Sequence, residues 1–204
     1  MYEEYNNCVV TEKQMTTPVA TIENLHQLQN EYYTSNGGKN VLFKKQQKFD
    51  CAQQILQQMQ LDQLFHLTFF IIPNTNKVYF DYMKFKMYAA PEIFGILVDR
   101  VLDLCTQCSN IYETFEVHIN INTFTISAAE RYKDIILLFC KECMERDTRF
   151  SQLLESFNIY NTPSAIDHIS TILMPLLPVE VKPKLRLYNK TVSKDIMRER
   201  LHIC

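Results

Sequence analysis

Two cysteine pairs, Cys105/Cys108 and Cys140/Cys143, and one histidine set between aliphatic residues, His118, are the side chains of this 204-residue chain whose type and spacing suggest chemistry. Two C-x-x-C pairs supply four thiolates, the number that a tetrahedral structural zinc ion takes. Both pairs fall within stretches of helical periodicity, on the faces that carry Leu and Ile, rather than in the tight turns where zinc knuckles hold their ligands. They read as small core residues, and no metal is expected. A redox pair would need its thiol at a helix start following a strand, where the thiolate is stabilised, and neither pair stands there. His118 alternates with Val117 and Ile119 and so points away from them on a strand, the position of a satisfied structural histidine. His168 follows Asp167 on a helix surface, and His26, His66 and His202 are scattered. Acid–base work needs a further group and a pocket, which these positions do not name. With only three glycines there is no phosphate cradle, and the nucleophile elbow and the H-E-x-x-H pair are absent. The reading is a protein that is not an enzyme and takes no cofactor.

The elements that position these residues centre on Phe115 to Tyr188. Two strand-like runs, Phe115 to Ile121 and Leu154 to Tyr160, each lead into a helix-like run, and that alternation predicts parallel pairing across helical crossovers. Ser127 and Glu130 form an S-x-x-E capping box that predicts a helix from Ala128, with Tyr132, Ile135, Ile136, Phe139, Cys140 and Cys143 as its apolar stripe. Thr162 before Pro163 predicts a second helix, Ser164 to about Leu177, which Pro175 kinks or ends.

Upstream, Thr17-Pro18 predicts a helix with Ile22, Leu25, Leu28 and Tyr32 inward, ended by Gly37-Gly38. Helical spacing returns in Phe49, Ala52, Ile55, Leu56 and Met59, beside a basic cluster of Lys39, Lys44, Lys45 and Lys48 that reads as a solvated face or a contact for phosphate headgroups. His66 to Pro73 and the alternating Val78, Phe80, Tyr82 run predict a hairpin turning at Asn74-Thr75-Asn76, and a helix is expected from Pro91 to about Cys108. Lys184 to Tyr188 reads as a short strand and Val192 to Leu201 as a helix capped by Ser193.

This order resembles the CRAL-TRIO lipid-binding domain over roughly His66 to Tyr188. The motifs that carry the resemblance are Val117-His118-Ile119, Asn161-Thr162-Pro163, Pro175-Leu176-Leu177-Pro178 and Lys184-Leu185. The resemblance implies an α/β fold, a mixed, mainly parallel sheet flanked by helices. It also implies an apolar cavity for a lipid or other hydrophobic ligand, closed by a mobile helix that maps onto Pro163 to Pro178. The lining residues it implies are Phe80, Tyr82, Phe124, Ile166, Ile169, Ile172 and Leu173. The family's Gly-Arg-Pro segment is replaced here by Asn74-Thr75-Asn76-Lys77, and the chain is most similar to the divergent, BCH-like branch. Members of that branch act as protein-interaction modules for small GTPases and as homotypic scaffolds. Large side chains such as Phe80, Tyr82, Met83 and Phe85 would then fill the cavity, and a protein partner or self-association would replace the lipid.

Composition sets the remaining bounds. The chain is 47% hydrophobic and 22% charged, which suits one globular unit: residues 1–65 as an N-terminal arm and helices, 66–188 as the CRAL-TRIO-like part, and 189–204 as a C-terminal helix. A net charge of −2 gives no global attraction to nucleic acid. No run of about 18 apolar residues is present, so no transmembrane segment and at most peripheral membrane contact are expected. The first ten residues lack a signal-peptide pattern and the seven cysteines are an odd number, which places the expected location in the cytoplasm.

Overall fold

Apolar, β-branched and aromatic residues in alternation build a five-stranded sheet in the computed structural model, which describes residues 18–38, 42–146 and 149–202. The expected polar arm, the capping Thr17, and Lys39 lie outside the described residues. Strands β1 (Phe69–Ile71), β2 (Lys77–Asp81), β3 (Phe115–Asn120), β4 (Leu154–Thr162) and β5 (Leu185–Asn189) lie side by side in chain order. The first pair is an antiparallel hairpin with Phe69 opposite Phe80, and the other three pairings are parallel. Asn74 makes the hairpin's tight corner at φ +59°, a left-handed conformation that asparagine tolerates.

The helices follow from that order. α1 (Pro18–Ser35), α2 (Lys44–Gln58) and α3 (Leu61–Thr68) precede the sheet, and α3 runs across residue 65 directly into β1. α4 (Tyr82–Tyr88) and α5 (Phe94–Tyr112) join β2 to β3, and α6 (Ile126–Arg131), α7 (Lys133–Arg146) and the short α8 (Phe150–Leu153) join β3 to β4. α9 (Ile166–Leu173) joins β4 to β5, and α10 (Lys190–Leu201) ends the described chain. Every parallel crossover steps the same way across the sheet, and right-handed crossovers of one direction stack their helices on one face. One face therefore holds the large apolar core with α5 and α7, while α10 covers the other over a small cluster of Ile72, Tyr79, Tyr160, Met197 and Leu201. The fold is α/β, with a mainly parallel sheet flanked by helices. Among the described residues no helix is long and apolar enough to cross a membrane.

Several local expectations are corrected. The strand after Lys77 stops at Asp81, whose carboxylate accepts the Met83 amide at 2.9 Å and starts α4, so Tyr82 begins a helix. Only Phe69–Ile71 of the His66 to Pro73 run is strand, because His66 to Thr68 complete α3. Thr125, not Ser127, caps α6 by accepting the Ala128 amide at 3.2 Å, and the helix breaks at Tyr132 before α7. Thr162 caps nothing: it closes β4 and donates to the Tyr188 carbonyl at 3.1 Å, and α9 starts only at Ile166. That helix ends at Leu173, where Pro175 turns the chain into a 3₁₀ turn over Met174–Leu176. Asn189 rather than Ser193 caps α10; the Ser193 hydroxyl is buried, donating to the Asn189 carbonyl at 2.6 Å and accepting the Asn161 amide at 2.8 Å.

Candidate functional site

Strand alternation sends Val78, Phe80, Val117 and Ile119 to the helix-covered face, and the three- and four-residue spacing of Val98, Val101 and Cys105 on α5 and of Ile136, Phe139 and Cys140 on α7 returns apolar side chains toward them. Between the two layers lies a cavity of about 190 Å³ whose lining is entirely aliphatic, aromatic, proline or cysteine. Tyr82, Phe85, Phe124 and Tyr132 close one side as an edge-to-face aromatic cluster, with Tyr82 and Phe124 rings 4.8 Å apart and Phe85 and Tyr132 rings 5.1 Å apart. Leu177, Pro178 and Val181 close another side, and Val179 between them is 73% exposed, so the cavity wall there reaches the protein surface.

Of the expected lining residues, Phe80, Tyr82 and Phe124 stand in the cavity wall. Ile166, Ile169, Ile172 and Leu173 do not: Ile169 is buried in the core and the other three pack at its margin, because the short α9 lies against α6 and only the chain beyond Pro175 reaches the cavity. The segment that borders the cavity is therefore 177–181. Sequence reasoning missed it by extending the helix through Pro175, although Leu177 and Val181 are the aliphatic residues on either side of Pro178. It also missed Val98 and Val101, which were legible only as one helix stripe.

The four paired cysteines are all buried, and Cys105, Cys140 and Cys143 form part of the cavity wall. Burial pushes the Cys108 and Cys140 thiols up to about 11 and Cys143 to about 12, and raises Cys105 still more strongly, so all four stay protonated and poorly nucleophilic at neutral pH. Among the described residues no group of three or more His, Cys, Asp or Glu side chains is placed to hold a metal ion. Alkylation of the native protein with iodoacetamide at pH 7.5, read by peptide mass spectrometry, should leave these four unmodified, and full labelling should appear only in denaturant. Rapid native labelling of Cys105 would contradict its burial.

His118 lies on the opposite sheet face and is completely buried. Its Nε2 is 3.2 Å from Glu116 Oε2 and its Nδ1 2.9 Å from the Tyr160 hydroxyl. A neutral ring donating from Nε2 and accepting the tyrosine O–H at Nδ1 satisfies both contacts. Ser156 donates to the same Glu116 oxygen at 2.9 Å, and Asn158 donates to Ser156 at 2.8 Å, so the polar groups of β3 and β4 form one connected network under α10. The Glu116 carboxyl is held down to about 2, chiefly by the hydrogen bond from His118 and against the opposing effect of burial. The Tyr160 phenol is raised by burial and remains a donor. This arrangement fixes strand register; the apolar cavity lies on the other side of the sheet and none of these groups lines it.

The chain matches no protein-family model and no curated protein.

Proposed function

We propose that this protein is a non-enzymatic, cytoplasmic module that binds a small hydrophobic ligand or lipid tail in the cavity between the sheet and α5/α7, in the manner of a CRAL-TRIO domain. The observation that carries the reading is the cavity itself. Protein interiors ordinarily close voids larger than a water molecule, and an empty space of about 190 Å³ disfavours the fold by about 4 to 5 kcal/mol at ~24 cal/mol per Å³. A hydrophobic occupant removes that penalty. The volume also selects the occupant: a dry cavity of about 150 Å³ takes benzene, and pockets for drug-sized ligands start near 300 Å³. A ring or a single chain of roughly six to eight carbons fits, whereas a whole two-chain lipid requires the 177–181 segment to move.

The alternative reading is an interaction or scaffold subunit that keeps the fold without a ligand. It draws on the sheet edge: among the described residues β5 pairs only with β4, and its Leu187 is 43% exposed. Native mass spectrometry of the purified protein, followed by extraction and identification of bound small molecules, separates the two. A reproducible hydrophobic species at near one per chain is the expected result; bare protein in dimers or larger species would replace the ligand reading with the scaffold one.

A further inference from the structure

Nine of the residues in the cavity wall are aromatic, and six of them touch one another in a continuous array. The Phe69 and Phe80 rings are stacked with centroids 4.7 Å apart, and Phe80 meets Phe85 edge to face at 5.2 Å. Phe85 meets Tyr132 at 5.1 Å, and Tyr82 links Tyr132, at 6.1 Å, to Phe124, at 4.8 Å. A separate edge-to-face pair, Phe139 on α7 and Phe150 on α8, stands in the same wall with centroids 6.1 Å apart. The six rings of the array come from β1, β2, α4, the loop ahead of α6 and the break between α6 and α7, so the fold assembles them from separate elements.

The inclination of these rings bears on what the cavity holds. Aromatic pairs gain when the positive rim of one ring meets the negative face of another, or when two rings stack with an offset. The planes of Phe80 and Phe85 are 82° apart and those of Tyr82 and Phe124 78° apart. A flat guest lying parallel to one ring of such a pair stands nearly perpendicular to the other, so it makes a stacked and an edge-to-face contact together. A saturated guest of the same size makes neither. Cys105, Cys140 and Cys143 add polarisable sulfur to the wall, which favours contact with a ring edge. The wall holds no acidic or basic side chain, and burial raises the Tyr82 and Tyr132 phenols and all three thiols, so it stays uncharged at neutral pH and has no partner for a charged ligand.

We propose that the cavity selects a neutral aromatic ring, benzene-sized with a short alkyl substituent, over a saturated ligand of the same carbon number. The proposal rests on the ligand-binding reading above and adds the chemical class of the ligand to it. Size agrees with it, because a cavity of about 150 Å³ takes benzene and the 190 Å³ here leaves room for a small substituent.

Toluene and methylcyclohexane, seven carbons each and alike in outline, test this by headspace gas chromatography of the whole protein sealed with each vapour at pH 7. Each affinity is expressed relative to that compound's own transfer from water to hexadecane, so a difference in hydrophobicity cancels. The expected result is toluene binding about three- to tenfold tighter on that scale, the effect of one edge-to-face contact. Phe124→Leu removes one ring of the array and should cut the preference to less than half, with methylcyclohexane affinity unchanged. Phe139→Leu, in the separate pair on α7, should do the same, so a failure of one variant to fold leaves the other to decide. Octan-1-ol serves as a chain-shaped probe of the same cavity. Equal corrected affinities of the unaltered protein for toluene and methylcyclohexane would overturn the aromatic assignment and leave the cavity reading standing. A preference unchanged in both variants would overturn the assignment of selectivity to the rings. Binding of none of the three compounds would overturn the cavity reading as well.

Discussion

Replacing Val101 by Phe should weaken octan-1-ol binding at least about tenfold and raise the thermal midpoint by roughly 2 to 4 °C. Val101 sits on α5 between Val98 and Cys105, one helical turn from each, and all three face the cavity. A phenyl in place of an isopropyl group occupies roughly a quarter of the 190 Å³, and at ~24 cal/mol per Å³ that filling stabilises the fold by about 1 kcal/mol. The ligand then has no room for its chain. Overpacking is the competing effect, costing about 1 to 3 kcal/mol where no space exists, so the sign of the stability change reports whether the void is real. Val101→Ala should act the other way, lowering the midpoint and admitting a longer alcohol. Calorimetry and thermal denaturation of the two variants supply both readings, and a Phe variant that binds octan-1-ol as the unaltered protein does would move the ligand to another place.

How much of this was legible depended on what decided each element. The strands at Phe115 and Leu154 and the stripes of α1, α2, α5 and α7 follow hydrophobic periodicity, which burial of one face enforces. Boundaries were decided by competition between neighbouring side chains. Thr125 and Ser127 both offer a hydroxyl to a helix start, and the chain turns at Thr125 because Phe124 is already buried in the aromatic cluster. Tyr82 satisfies the two-residue period of Val78 and Phe80 and equally the three-residue period of Phe85 and Tyr88; the Asp81 cap selects the helix. The cavity wall at 177–181 depends on where α9 docks, a contact between elements distant in the chain.

The protein should lose stability in acid through Glu116, and Glu116→Gln should remove much of that loss. In the folded state the Glu116 carboxyl is held down to about 2, chiefly by the hydrogen bonds from His118 and Ser156 and with help from the Lys77 charge, whereas in the unfolded chain it titrates near its ordinary 4.5. A group with a depressed folded value contributes its full stabilisation above the unfolded value and loses it as pH falls toward the folded one. The contribution is thus complete above about pH 4.5 and gone near pH 2, and the gap between those values is worth roughly 3 kcal/mol. The Glu116 side chain is 22% exposed, so bulk water screens it only in part. Guanidinium denaturation from pH 7 to pH 2 should therefore show a steep acid limb that flattens in Glu116→Gln, with the variant already less stable at pH 7. The geometry gives the reason for both effects: the amide no longer carries the charge that accepts from His118 Nε2 and Ser156 Oγ, and the network that locks β3 to β4 beneath α10 loses its anion. An acid limb of unchanged slope in the variant would assign the acid sensitivity to other carboxylates and make the network a matter of shape rather than charge.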